Sequence, residues 1–211
     1  VQEGKALVAK HFPEFNAQQL DLLEVYVKVL LETNKAINLI SRKNEDEVWV
    51  NHILHSLSIV KVMKFLPGQQ VLDFGTGGGL PGIPLAIAFP NTHFLLVDSI
   101  GKKVNAVKNM TEHLGLGNVK TKHIRVEEIE MKFDFAVSRA VTALPTIAGW
   151  LKGKLKKGHS AKLSNGLIYI KGGDFNEELK QINRAHKMWH MTEWFEDEFF
   201  ETKKVVWIDL T

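Results

Sequence analysis

VLDFGTGGGLPGIPLAIAFP, residues 71–90, decides how this chain is read. A short apolar run, Val71 and Leu72, meets Asp73. Gly75, Gly77, Gly78 and Gly79 follow within five positions, and Leu80, Pro81 and Gly82 lead into a second apolar run. The pattern predicts a strand, a tight loop and a helix. Glycine adopts positive φ and lets a ligand lie against the main chain. A helix start offers unpaired N–H groups and the positive end of a dipole, and Pro81 and Pro84 fit a first turn. The segment is expected to hold a nucleotide-like cofactor.

Gly77-x-Gly79-x-x-Gly82 fits the dinucleotide pattern GxGxxG, a weak signal by itself. The charges favour S-adenosylmethionine. Asp73, expected at the mouth of the loop, would repel a pyrophosphate and suit an ammonium and a sulfonium. Asp98 ends the next apolar run, HFLLVD at 93–98, where an acid accepts from ribose hydroxyls. Both cofactors carry that ribose, so Asp98 supports the fold without choosing between them. The plainer alternative is a structural turn, with Asp98 capping the next helix.

Further out, the pattern alternates. Strands are predicted at 70–74, 93–98, 118–123, 133–138 and 166–171. Helices are predicted at 81–89, about 101–115, about 143–155, and from a capping Asp174 to about Arg184, with a helical turn near 126–129. Two β-rich runs, near 186–194 and 203–210, are expected to pair antiparallel. Such alternation implies a doubly wound α/β sheet. Residues 17–33 put Leu20, Leu23, Val27, Leu30 and Leu31 on one helical face. A second helical stretch is expected from about Glu45 through Met63, and Pro67-Gly68 then punctuates the chain. Residues 1–66 are therefore read as a helical extension and 67–211 as the cofactor domain.

Composition excludes several chemistries. Cysteine is absent from the 211 residues, which removes disulfides, thiolate zinc sites and cysteine nucleophiles, and argues against methylation at pyrimidine C5. No apolar run approaches the roughly 20 residues of a membrane helix, and VQEGKALVAKHF lacks a signal-peptide core. The cytoplasm is the expected compartment and no membrane partner is expected. Net charge is only +3, but charge is segregated: WLKGKLKKGHSAK (150–162) carries five lysines and no acid, and EWFEDEFFE (193–201) carries five acids and no base. The basic stripe could face phosphates or be a solvated surface. His52 and His55 share a helix face if that segment is helical; packing or RNA contact is expected there, and no metal. Trp150 is a candidate for stacking on a base.

NKAINLIS (34–41), HILHSL (52–57), LDFGTGGGLPGIPLAI (72–87), VDSIGKK (97–103), RVEE (125–128), FDFAVSRA (133–140) and IKGG (170–173) together resemble the bacterial glucose-inhibited division protein B family. These are small-subunit (16S) ribosomal RNA guanine-N7 methyltransferases that use S-adenosylmethionine. Thr33 stands where the family usually has tryptophan, and His55 where it has an acid. The resemblance implies a Rossmann-like class I methyltransferase sheet of seven strands, mostly parallel, with an antiparallel edge hairpin. It also implies a partner, 16S ribosomal RNA or the small ribosomal subunit, and a monomer is the working expectation.

The resemblance further implies cofactor roles. Gly75 and Leu80 would line the methionine end, with Gly77 and Gly79 giving the loop clearance. Asp98 would hold the ribose, and Val126 and Glu127 the adenine. Asp73 would orient the loop or meet the amino group. Arg139, at the end of the fourth strand, is a cofactor-site arginine by resemblance; an RNA contact or a surface ion pair are its alternatives. Lys171 would face the target nucleotide or its phosphate, or be a solvated strand-end lysine. Guanine N7 has a free lone pair and no proton, so in-line alignment with the methyl group is the main requirement and no catalytic base is expected. Two other functions stay open: an NAD(P)-dependent oxidoreductase, whose acid–base residue would have to come from groups such as Tyr26 or Tyr169, and a non-catalytic RNA-binding or ribosome-assembly protein.

Overall fold

A computed structural model of the chain describes residues 2–41, 47–139, 141–160 and 162–211. The amino-terminal region contains α1 (Gln2–His11), α2 (Ala17–Asn34) and a π-helical turn (Trp49–Leu54) that runs into α3 (His55–Val62). The start of α2 is fixed by a reciprocal cap: Asn16 accepts the Gln19 N–H while the Gln19 side chain accepts the Asn16 N–H. The second helical stretch expected from Glu45 begins outside the described residues, and it stops at Val62 because Met63 is extended.

The remainder alternates as the sequence predicts: β1 (Gln70–Phe74), α4 (Gly82–Ala88), β2 (His93–Asp98), α5 (Gly101–His113) and β3 (Val119–His123), then a 3-10 turn (Val126–Glu128), β4 (Phe135–Arg139), α6 (Leu144–Leu151), β5 (Gly166–Gly172), α7 (Asn176–Ile182), β6 (His186–His190) and β7 (Lys203–Ile208). Two helices are shorter than expected. The helix predicted to 155 ends at Leu151, and Gly153, at φ 73°, lies in the turn beyond it. Asp174 is not the cap of α7; it accepts the Asn176 N–H in a turn just ahead of the helix, and Asn183, left-handed at φ 48°, ends it.

The seven strands lie in the order β3-β2-β1-β4-β5-β7-β6. β7 alone runs against its neighbours, pairing antiparallel with both β5 and β6. The expected hairpin therefore folds back into the sheet: β7 fills the place beside β5, and β6 becomes the edge.

Strand side chains alternate between faces, and the alternation sorts the core. Val71, Phe135, Val137, Ile168, Ile170, Val205 and Trp207 pack with the amino-terminal helices, α4 and α5. Leu72, Phe74, Ala136, Leu167, Tyr169, Val206 and Ile208 pack with α6, α7 and the 3-10 turn. Described residues of the amino-terminal helices thus share one hydrophobic cluster with the sheet. The same parity sends Asp73 and Arg139 toward the amino-terminal helices and Lys171 to the opposite face. No described helix is long and apolar enough to cross a membrane.

Candidate functional site

Ligands of open α/β sheets bind beyond the carboxyl ends of the strands, where the order reverses. Here that point lies between β1 and β4, and the glycine loop leaves β1 there. Gly75, Gly77 and Gly79 have φ of 64°, 57° and 92°. A Cβ at Gly75 would stand 2.7 Å from Val141 Cγ2, and one at Gly82 would stand 2.5 Å from Asp73 Oδ2 and 2.7 Å from Leu96 Cγ. Glycine is needed at 75 for backbone angle and space, and at 82 for close packing of α4 on the sheet.

The loop turns its donors inward. Of the seven N–H groups from Thr76 to Ile83, six donate within the protein. Thr76 donates to Val97 O, Gly79 and Leu80 to Thr76 O, and Ile83 to Gly79 O. Gly77 donates to Asp98 Oδ2 and Gly82 to Asp73 Oδ2. The expectation of a helix start with open N–H groups is corrected: α4 has no free first-turn donor to offer a phosphate, because Asp73, Gly79 and Pro81 take them. A pyrophosphate would find no cradle of the kind dinucleotide folds use.

Asp73 is also placed differently from the expectation. It is 0% exposed, not at the loop mouth. Its Oδ2 accepts from Thr76 Oγ1 (2.6 Å) and Gly82 N (2.9 Å), while Oδ1 is buried without a partner. Burial pushes the carboxyl up to about 7, against the two hydrogen bonds and the Arg139 charge, which pull it down. Asp73 organises the loop from beneath.

Four expected residues meet in one cleft at the ends of β1, β2 and β3: Gly75, Asp98, Val126 and Glu127. Sequence reasoning missed Phe74, Ile124 and Val141 in the same lining. Trp150 lines it too, from the last turn of α6; the nearby lysines had suggested an RNA-stacking role instead. Asp98 is 8% exposed, and its oxygens accept from Gly77 N and Ile100 N, 3.0 Å each. A carboxylate has about four acceptor sites, so Asp98 retains capacity for two hydroxyls. Flat apolar walls, an acid with spare acceptors and no phosphate cradle fit the adenosine half of S-adenosylmethionine.

The other expected residues lie apart from this cleft. Leu80 is 3% exposed and packs in the core beneath the loop, so its side chain does not line the cleft. Gly77 and Gly79 shape the loop. Arg139 reaches across to the amino-terminal helices, where Nη1 donates to Asn51 O (3.2 Å) and His52 Nδ1 (2.7 Å). No described carboxylate lies within 4.0 Å of it, so the surface ion-pair alternative is corrected; its partners were invisible because they come from a segment almost ninety residues upstream. Lys171 is neither solvated nor free. It pairs with Glu178, which also accepts the Leu144 N–H that opens α6.

The roof over the loop comes from the amino-terminal region. Tyr26 Oη donates to Gly78 O (2.8 Å), and a Cβ at Gly78 would stand 2.9 Å from Leu30 Cδ1. Asn34 Oδ1 accepts from the N–H groups of Leu39 and Ile40, which turns NKAINLIS toward the loop. His52 and His55 are each 5% exposed and pack, which removes the RNA-contact alternative for them. Burial, with Arg139 adding to it, pushes His52 down to about 3. His55 stands edge-on to Phe199 at 5.3 Å. Both tyrosines are buried and donate to carbonyls, Tyr26 to Gly78 O and Tyr169 to Thr142 O, so neither is open to a hydride-transfer site.

Residues 19–204 match the model of the GidB family, rRNA small subunit methyltransferase G. The chain belongs to that family. It is 50% identical over 203 residues to the ribosomal RNA small subunit methyltransferase G of Flavobacterium johnsoniae, covering 96% of this chain and 97% of the relative. The protein of the same name from Porphyromonas gingivalis is 44% identical over 208 residues, covering 98% and 94%. Solved structures with the same fold include magnesium protoporphyrin IX methyltransferase from Synechocystis with bound SAM (TM-score 0.58, 17% identity, 97% of this chain and 96% of that one). A SAM-dependent methyltransferase from Aquifex aeolicus is another (TM-score 0.57, 17% identity, 79% and 95%). At those identities the likeness shows the class I methyltransferase fold alone. It agrees with the sheet order and with the doubly wound architecture expected from the alternation of strands and helices.

Proposed function

We propose that this GidB-family methyltransferase transfers the methyl group of S-adenosylmethionine to N7 of a guanine in 16S ribosomal RNA, acting as a monomer in the cytoplasm on the small subunit or its RNA. The observation that carries the cofactor assignment is the inward-turned glycine loop beside Asp98. It leaves no donor set for a pyrophosphate and keeps a carboxylate ready for ribose hydroxyls. Asp98 would hold the ribose, and Val126, Glu127 and Trp150 would enclose the adenine. Gly75 would admit the methionine end, and Arg139 would face the cofactor carboxylate there. Residues 1–66 act in this reading as a roof that fixes the loop, and 67–211 as the methyltransferase domain.

The bound cofactor supplies an electrophilic methyl group on sulfonium sulfur. N7 carries no proton, so the protein's task is to align it with that methyl group; positioning of this kind is worth up to roughly 7–11 kcal/mol. A buried loop held by Asp73, Thr76 and Tyr26 suits that task, because it need not reorganise when substrate arrives.

Tritiated-methyl transfer to unmethylated small subunits and to naked 16S ribosomal RNA, followed by mapping of the base, tests the reading. Label on guanine N7 is expected; label on an exocyclic amine or a ribose refutes it. Calorimetry should show binding of S-adenosylmethionine and its demethylated product, and none of NADH.

A further inference from the structure

The five-lysine stretch stands out in the sequence, yet two of its lysines turn to protein acceptors and part of it is anchored at the amino ends of the strands. Lys156 N donates to Phe133 O, and its side chain meets Asp134 and Gln70 at the amino ends of β4 and β1. Lys154 donates to Glu127 O and Ile129 O, holding a loop. Two of the five lysines are thus tied to protein acceptors, and Lys152, Lys157 and Lys162 are the exposed members.

A different pair of cations occupies the reactive edge. Because β7 runs antiparallel to β5, its first residues lie at the carboxyl end of β5: Lys203 is opposite Gly172 and Lys204 opposite Lys171. Strand alternation puts Lys203 on the Arg139 face and Lys204 on the Lys171 face, so the two straddle the rim. Each is held without an acid. Lys203 Nζ lies 4.7 Å from the Phe199 ring, and Lys204 Nζ lies 5.3 Å from the Phe175 ring and donates to Gly173 O at 2.8 Å. No described carboxylate comes within 4.0 Å of either. On the helices, by contrast, Lys28, Lys108 and Lys180 sit in ordinary ion pairs with carboxylates. Fixed but unneutralised cations lose little entropy on meeting an anion. β7 lies two strand spacings from β4, about 10 Å from the Arg139 strand end, which is within the span of a few nucleotides.

We propose that Lys203 and Lys204, with the Gly172–Gly173 turn, form the surface that holds the phosphate backbone of the RNA substrate beside the cofactor cleft. The proposal rests on the reading that the substrate is ribosomal RNA. Phosphate contacts of this kind position the chain without reading its sequence.

The test compares K203Q/K204Q with K152Q/K157Q/K162Q, measuring affinity for unmethylated 16S ribosomal RNA and for unmethylated small subunits across salt concentrations. S-adenosylmethionine affinity is followed by calorimetry. The rim pair should weaken RNA binding about tenfold or more and lower the salt slope by about one to two units, with cofactor affinity unchanged; K203R/K204R should restore both. The triple variant should bind RNA like the wild type. Should the double variant fold poorly, K203Q and K204Q singly are each expected to remove about one unit of slope. Wild-type affinity and slope in the rim variants, or loss only in the triple variant, overturns the proposal. Loss on assembled subunits with none on naked RNA also overturns it, pointing to a ribosomal protein instead. If the wild type transfers no methyl group to either substrate, the functional reading falls, while the slopes still judge the surface.

Discussion

On the β2–β3 side of the glycine loop lies an open cleft whose key acid, Asp98, is tied to two backbone N–H groups and still has acceptors to spare. On the β1–β4 side the ground is closed. Asp73 is fully buried, Tyr26 and Leu30 press on the loop, and Arg139 is held by Asn51 and His52. The open side has capacity for a ligand. The closed side carries unsatisfied polar atoms, Asp73 Oδ1, His52 Nε2, His55 Nε2 and Asn51 Oδ1, which cost stability in proportion to their burial. One half is shaped for affinity and the other for rigidity, and substitutions in the two halves should separate along those lines.

The largest separation is expected at the two aspartates. On the proposed reading Asp98→Ala removes the ribose acceptor, and it should weaken S-adenosylmethionine binding by about 3 kcal/mol, roughly a hundredfold, in calorimetry. Asp73→Ala should act on stability first, since it strands the Thr76 hydroxyl and the Gly82 N–H. If Asp73→Ala abolished cofactor binding in a protein of unchanged melting temperature, the division into open and closed halves would be wrong.

Next in size is Gly82→Ala. Its Cβ would meet Asp73 Oδ2 and Leu96 with no room to retreat, so a loss of about 1–3 kcal/mol is expected in denaturant unfolding. Tyr26→Phe should cost about 1–2 kcal/mol by leaving Gly78 O without its buried donor, with little change in cofactor affinity once the protein is folded.

How much of this was legible follows from how local each feature is. Asp98, Gly75, Val126 and Glu127 were readable because each follows its own strand at a fixed offset, and the cleft is simply where those strand ends converge. Lys171 and Arg139 were placed correctly on strands, but β-parity and the partners decide their roles. Glu178, Asn51 and His52 are distant in sequence, and no local signal announces them. Lys203 and Lys204 escaped notice for a related reason: only the reversal of β7 brings the start of the last strand beside the end of β5. For the lysine-rich run at 150–162, charge density along a chain carries no information about which lysines stay free: Lys154 and Lys156 turn to protein acceptors.

Acid should sharpen the contrast within the closed half. His52 is held near about 3, below its ordinary 6.5, so between those values the unfolded chain binds more protons than the native one. Its contribution to stability is complete above 6.5 and falls as pH drops. His55 is lowered in the same sense. Asp73 runs the other way: raised to about 7 from 3.8, it makes the native state bind more protons in that window, so its contribution falls as pH rises. The two histidines outnumber the one acid, and net stability should decline from pH 7 toward pH 4 in urea titrations. His52→Gln should flatten that decline and Asp73→Asn should steepen it; no change from either substitution would show that these groups are solvated in the folded protein.

The smallest effect probes the boundary between the cofactor cleft and the lysine-rich run. Lys154 Nζ donates to Glu127 O at 3.0 Å and Ile129 O at 2.6 Å, fastening the loop that carries Val126 and Glu127. Lys154→Met keeps most of the apolar stem and removes the two bonds. The loop should then sample more conformations, and S-adenosylmethionine should bind a few-fold more weakly, about 1 kcal/mol. RNA affinity at saturating cofactor should stay as in the wild type. A fall in RNA affinity with cofactor binding intact would return the 150–162 stretch to the role its charge first suggested, and would remove the reason for placing the substrate on the β5–β7 rim.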